Sequence, residues 1–97
     1  MQIIAKRTIR LFWEKHPQAE TPLRLWFANV SAAQWAGPAD VRAQFGSADF
    51  VADNRVIFDI GGNKYRLVAH ISYLYGRVLV KFIGTHSEYD RINPETV

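Results

Sequence analysis

Val56-Ile57-Phe58-Asp59-Ile60-Gly61-Gly62-Asn63-Lys64-Tyr65-Arg66-Leu67-Val68-Ala69 is the stretch whose reading decides the fold. Two β-prone runs flank a Gly-Gly pair, and glycine reaches the positive φ that a tight hairpin turn demands. With Gly61 and Gly62 as the two loop residues, Asp59 stands opposite Lys64, Phe58 opposite Tyr65 and Ile57 opposite Arg66. That register allows a hairpin ion pair between Asp59 and Lys64. Alternation puts Tyr65, Leu67, Ala69 and Ile71 on one face of the second strand, and Lys64, Arg66, Val68, His70 and Ser72 on the other. The first face reads as core and the second as partly basic.

Downstream, Val78-Leu79-Val80-Lys81-Phe82-Ile83 reads as a third strand with a single cation in its middle. A lone lysine in a strand ordinarily snorkels from a sheet edge. In a three-stranded meander, however, Lys64, Arg66 and Lys81 come to one open sheet face and make a phosphate-sized site. The next residues, Gly84-Thr85-His86-Ser87-Glu88-Tyr89-Asp90-Arg91-Ile92-Asn93, crowd a histidine, a tyrosine and several charged or amide groups together. Thr85 and Glu88 fit the S/T-x-x-E capping box, so a short helix is expected to start there. His86, Tyr89 and Asp90 are then neighbours at spacings of three and four. Alone, the segment reads better as a capped terminal turn with solvated side chains. Beside the basic hairpin it becomes the rim of a site.

Upstream the chain reads as helical scaffold. After a short run, Gln2-Ile3-Ile4, a helix near Lys6 to His16 is expected to place Thr8, Leu11, Phe12 and Lys15 on one face and to stop before Pro17. Thr21-Pro22 reads as an N-cap followed by the residue best suited to the first helical position. Leu23, Trp26, Phe27, Val30 and Gln34 follow at helical spacing, so this helix should cover the apolar sheet face. Gly37-Pro38 breaks the chain, Pro38 to Phe45 reads as a further short helix, and Gly46 to Asn54 reads as a loop into the sheet. Trp13, Trp26 and Trp35 are read as scaffold, and Tyr73 and Tyr75 as an aromatic pair at a hairpin end. The expectation is an α+β fold: a small antiparallel sheet of three to four strands packed against two N-terminal helices, as a single domain over residues 1–97.

Composition bounds the function. At 97 residues, with 48% hydrophobic and 13% aromatic side chains, the chain has enough apolar surface for one modest core. The absence of cysteine excludes disulfides and thiolate metal sites and suits a reducing cytoplasm. Lys6, Arg7 and Arg10 interrupt any apolar leader, and no run is long enough to span a membrane, so a cytoplasmic protein is expected. His16, His70 and His86 show no metal-ligand spacing, and there is no H-x-x-x-H or carboxylate cluster, so neither metal nor cofactor is expected. Gly61-Gly62 lacks the following helix and Lys-Ser/Thr of a phosphate-binding P-loop. The net charge of +3 suits a polyanionic partner, with the excess cations at the two ends of the chain and an acidic middle.

The hairpin string Val56 to Val68, followed by Lys81-Phe82-Ile83-Gly84-Thr85-His86-Ser87-Glu88-Tyr89-Asp90-Arg91-Ile92, resembles the HigB toxins of bacterial toxin–antitoxin pairs, which are RelE-like mRNA interferases. The likeness covers nearly the whole chain, because Trp35, Asp40-Val41-Arg42-Ala43-Gln44-Phe45 and Ala48-Asp49 also sit where that family has similar residues. Two departures keep the charge: family members often carry arginine where Lys81 stands and lysine where Arg91 stands. Lys81 offers a point charge rather than a bidentate fork.

The resemblance implies a RelE-like fold and ribosome-dependent mRNA cleavage in which the ribose 2′-OH is the nucleophile and no metal takes part. It implies that Arg66 holds the scissile phosphate and that Lys81 is a second phosphate cation. His86 would carry the proton, since a histidine ordinarily titrates near neutrality. Tyr89 would orient the nucleotide or assist proton transfer, with Lys64, Arg91 and Asp90 contributing RNA or phosphate contacts. The implied partners are mRNA on the translating ribosome and a HigA-like helix-turn-helix antitoxin. A noncatalytic RNA-binding or regulatory module on the same fold is the alternative.

Overall fold

The computed structural model describes residues 1–97, apart from the side chain of Lys6. The elements run β1 (Gln2–Ile4), α1 (Lys6–Lys15), a 3₁₀ turn (Pro17–Ala19), α2 (Glu20–Ala32), α3 (Pro38–Gln44), β2 (Asp49–Val51), β3 (Arg55–Ile60), β4 (Tyr65–Ser72), β5 (Arg77–Thr85) and α4 (His86–Tyr89). The strands make one five-stranded sheet in the order β1-β5-β4-β3-β2. Neighbours pair antiparallel except β1, which runs parallel to β5. The α+β architecture and the N-terminal helical layer are as expected, with more strands than the three or four anticipated.

Both additional strands are short edges. In β1 only Ile3 enters the core, opposite Val78. Three residues are too few to register a period of two. β2 lies within the segment expected to be a loop up to Asn54; it pairs with β3, Asp49 with Ile57 and Val51 with Arg55. The connection back into β3 uses Asp53 and Asn54 at φ 63° and 56°, a conformation these two residue types tolerate better than most. Edges this short present little unpaired backbone to other chains.

The helical layer covers one face of the sheet. In α1 the inward side chains are Ile9, fully buried, with Phe12 and Trp13 half-buried. Leu11 is 51% exposed, so the Thr8-Leu11-Phe12-Lys15 face is not the one turned to the sheet. The inward set instead follows the i, i+3, i+4 spacing from Ile9. In α2 the expected Leu23, Trp26 and Val30 are buried, while Gln34 lies past the helix end and is exposed. The helix begins at Glu20, directly after the 3₁₀ turn, so Thr21 and Pro22 lie inside its first turn instead of forming its cap. Pro22 loses nothing there, because first-turn N–H groups have no intrahelical acceptor.

Phe58 of β3 anchors the layer: Trp26 meets it edge-on at 5.5 Å, Phe45 edge-on at 5.1 Å, and Trp35 stacks at 6.4 Å. Aromatic pairs in these geometries add stability beyond area burial, about 0.5–1.5 kcal/mol each. Phe58 thereby fixes the β3–β4 hairpin against the helices.

The hairpin register differs from the expected one. The turn spans four residues, 61–64, with Gly61 and Gly62 at φ 63° and 71°. Ile60 pairs with Tyr65, so Asp59 faces Arg66, Phe58 faces Leu67 and Ile57 faces Val68. The glycines supply the positive φ as anticipated, but Asn63 and Lys64 join them in the turn. The face assignment survives because the pairing slips by an even number of residues. What changes is the neighbour of Arg66, an aspartate in place of Ile57, and the place of Lys64, which moves off the strand into the turn.

Candidate functional site

The second face of the sheet is where Arg66, Val68 and His70 alternate outward from the helical layer. On β5 the register slips at Lys81: Ala69 pairs with Val80 and Val68 with Phe82, leaving Lys81 as the extra residue of a β-bulge. A bulge re-aims the strand that follows it. Arg66 comes to lie across from Gly84, and Tyr65 across from Thr85, the N-cap of α4, so α4 starts beside the β3–β4 turn.

Local chemistry builds α4 as the sequence indicates. The Glu88 backbone N–H donates to Thr85 Oγ1 at 3.2 Å, and the Thr85 backbone N–H donates to Glu88 Oε1 at 2.8 Å, a complete capping box. The Thr85 backbone N–H holds the Glu88 carboxyl below its ordinary value. The His86 backbone N–H donates to the Lys64 carbonyl at 3.1 Å, which ties α4 to the β3–β4 turn. His86 Nδ1 lies 3.2 Å from Asp90 Oδ2, the neighbourhood expected from their spacing of four. Tyr89 is half-buried, its ring tilted against Phe82 at 6.5 Å. Burial raises the Tyr89 phenol above its ordinary value; the carboxylates of Asp49, Asp90 and Asp59 act in the same direction and Arg66 acts against them. Tyr89 is therefore a neutral O–H donor at physiological pH.

Arg66 is held on three sides. Its Nε lies 3.1 Å from Asp59 Oδ1, Nη1 donates to the Tyr65 carbonyl at 3.2 Å, and Nη2 donates to Asn63 Oδ1. The side chain is 11% exposed, and that of Asp59 26%. The expectation that the Arg66 head faces an open site is corrected by the four-residue turn, and the ion pair that the expected register allowed between Asp59 and Lys64 is made by Arg66 instead. Arg66 does lie on the face away from the Leu23-Trp26-Phe27 helix, as anticipated.

The remaining residues are more dispersed. Lys64 is exposed in the turn, its carbonyl bonded to α4. Asp90 and Arg91 are exposed just past α4, the Arg91 backbone N–H bonded to the Glu88 carbonyl at 3.2 Å. Lys81 is exposed at the bulge, three residues along β5 from Gly84, a span of about 10 Å. Lys64, Arg66 and Lys81 thus do not share one open strand face. That face is partly covered: Ile57 and Val68 are buried on it, and the chain end returns to it, with Arg55 Nη2 donating to the Val97 carbonyl oxygen at 3.0 Å. Among the described residues no group of three His, Cys, Asp or Glu is placed to hold a metal ion, and no helix is long and apolar enough to cross a membrane. A cleft of about 580 Å³ between α1 and α2, floored by Ile9, Trp13 and Phe27, lies on the helical side, away from this chemistry.

Sequence reasoning missed the grip of Asn63 and Asp59 on Arg66, and the part played by Gly84. A polar residue at the close of a glycine turn and a carboxylate before it were the available signals. Their use depended on the register.

Comparisons with known proteins place the chain in a family. The HigB toxin family, described as the RelE-like toxic component of a toxin–antitoxin system, matches residues 19–92. The chain is 30% identical over 94 residues to the mRNA interferase HigB of Escherichia coli O6:H1 (strain CFT073), covering 95% of this chain and 91% of that protein. It is 28% identical over 92 residues to the mRNA interferase toxin HigB of Escherichia coli K12 and to the mRNA interferase HigB of Shigella flexneri, covering 93% of this chain and 88% of each. These matches span both the helical layer and the α4 segment, and the protein belongs to the HigB family of RelE-like toxins.

Proposed function

We propose that this protein is an endoribonuclease toxin that cuts mRNA on the translating ribosome by transesterification, without a metal ion. The observation that carries the reading is the joint between the β3–β4 turn and α4, which gathers Arg66, Tyr89 and the His86–Asp90 pair at one end of the sheet. Its relatives bear the name mRNA interferase.

RNA carries its own nucleophile. The 2′-oxygen attacks the adjacent phosphorus, its proton passes to a base, the P–O5′ bond breaks, and a proton reaches the departing 5′-oxygen. The products are a 2′,3′-cyclic phosphate and a 5′-hydroxyl. Arg66 holds the phosphate as its charge builds; one such donor is worth roughly 3 kcal/mol of barrier. His86 carries the proton, with Asp90 orienting its ring through Nδ1. Tyr89, a neutral phenol at physiological pH, orients the nucleotide or supplies a proton. Lys81, about 10 Å along the strand, serves a flanking phosphate, and Lys64 and Arg91 serve the RNA backbone on either side of α4. The ribosome presents the message, and a HigA-like helix-turn-helix antitoxin restrains the toxin, by covering the basic end or by blocking access to the ribosome.

His86 tests this directly, because its side chain is 47% exposed and its tie to Lys64 is through the backbone. His86→Ala should keep ribosome binding and lose cleavage of a translated message. Equal cleavage by His86→Ala would remove the proposed proton carrier, and a wild-type protein that binds ribosomes without cutting would be a noncatalytic module.

A further inference from the structure

We propose that Asp59 and Asn63 are positioning residues for Arg66, a role that rests on the reading of Arg66 as the phosphate-holding group. A free arginine side chain samples many rotamers, and ordering it on a substrate costs binding free energy. Here that ordering is complete before RNA arrives. Asp59 faces Arg66 across the β3–β4 ladder, with its Oδ1 3.1 Å from Nε. Asn63 reaches Nη2 from the turn, and the Tyr65 carbonyl takes one N–H of Nη1 at 3.2 Å. All three partners lie within the eight residues of one hairpin, so they move as a unit with the strand that carries Arg66.

The arrangement leaves the guanidinium usable. Five N–H groups are available to an arginine. Each terminal nitrogen spends one on the hairpin and keeps one, while the carboxylate sits against Nε at the inner end. The carboxylate thus fixes the plane without blocking the outer nitrogens. The opposite role for Asp59 is a latch that competes with RNA phosphate for Arg66 and must release it. A latch needs an arginine free to swing, and an 11% exposed side chain tied to a backbone carbonyl and a turn asparagine is not free. The two roles differ in sign: loss of a positioning carboxylate slows the reaction, whereas loss of a latch speeds it.

The experiment compares wild type, Asp59→Asn, Asn63→Ala, Arg66→Ala and the double variant Asp59→Asn with Arg66→Ala on a defined message in a purified translation reaction. Maximal cleavage rate and the half-saturating ribosome concentration are read separately, and melting curves confirm folding at the assay temperature. Displacing a catalytic group by about an ångström costs on the order of 100-fold. Asp59→Asn and Asn63→Ala should each lower the maximal rate roughly 10- to 100-fold, with half-saturation little changed. In the Arg66→Ala background Asp59→Asn should cost nothing further, since there is then no guanidinium to orient.

A wild-type rate for both positioning variants with Arg66→Ala inactive would overturn the proposal while leaving the function intact. A faster Asp59→Asn would overturn it in favour of the latch, and additive losses in the double variant would overturn it by showing that Asp59 acts independently of Arg66. Arg66→Ala cutting as well as wild type would instead refute the role of Arg66 on which the proposal rests. Should Asp59→Asn fail to fold, Asn63→Ala carries the same test from the exposed turn.

Discussion

Phe82 lies across Gly84: a β-carbon built on Gly84 would stand 2.5 Å from Phe82 Cζ and 3.2 Å from Glu88 Cβ. Two elements close over this residue at once, the aromatic ring from its own strand and the first turn of α4. Gly84→Ala should therefore push Phe82 off its contact with Tyr89 and cost about 1–3 kcal/mol, the usual range for an overpacked site. Thermal or urea unfolding measures the loss, and an unchanged melting curve would show that the ring moves aside freely.

The capping box makes α4 acid-sensitive. Glu88 has its folded pKa lowered, chiefly by the Thr85 backbone N–H. Its contribution is thus present above the ordinary glutamate value, near 4.3, and is lost as pH falls through the depressed folded value. Because Glu88 is exposed, solvent screening keeps the effect small. Wild type should be slightly more stable than Glu88→Gln at pH 7, and the gap should close on acidification below about pH 4. Unfolding curves for both proteins across that range test the point; a gap that widens in acid has the wrong sign.

Tyr89 should titrate late. Burial comes first among the causes that raise its phenol, and the neighbouring carboxylates add to it. Since the neutral form is the one favoured in the fold, its contribution to stability is present below the ordinary tyrosine value, near 10, and is lost as pH rises through the folded one. The Tyr89 ring resonances of ¹³C-tyrosine-labelled protein should titrate above the ordinary tyrosine value, near 10. Tyr89→Phe should fold and cut slowly. A phenol that ionises near neutrality would make Tyr89 a base in place of a donor.

How much of this was legible in the sequence depends on the kind of signal each residue carries. The alternation of Tyr65, Leu67, Ala69 and Ile71 against Arg66, Val68 and His70 gave the faces of β4 correctly, because period two is independent of the partner strand. Thr85 and Glu88 announced α4, because a capping box is local. The hairpin register was not legible, since Gly61 and Gly62 suit a four-residue turn as well as a two-residue one and both keep the same faces. Everything nonlocal followed from that ambiguity: the partner of Arg66, the displacement of Lys64 and the function of Asn63. The bulge at Lys81 is not legible in the run Val78 to Ile83, because a lone lysine in a strand reads equally as an edge residue. Gln2-Ile3-Ile4 and Asp49-Phe50-Val51 are too short to declare themselves without their partners.

Arg66 joins the structural and the chemical arguments. Arg66→Ala leaves the Asp59 carboxylate unpaired in a half-buried setting, so stability should drop by about 1–3 kcal/mol, a loss that a fold with one intact core survives. Cleavage should fall much further. The decisive measurement maps the cut ends of a translated message by primer extension at equal concentrations of folded wild type, Arg66→Ala and Arg66→Lys. The account predicts discrete cut ends from wild type, cleavage at least roughly 100-fold slower from Arg66→Ala, and partial recovery from Arg66→Lys, whose point charge lacks the planar fork. Cleavage by folded Arg66→Ala at the wild-type rate would contradict it.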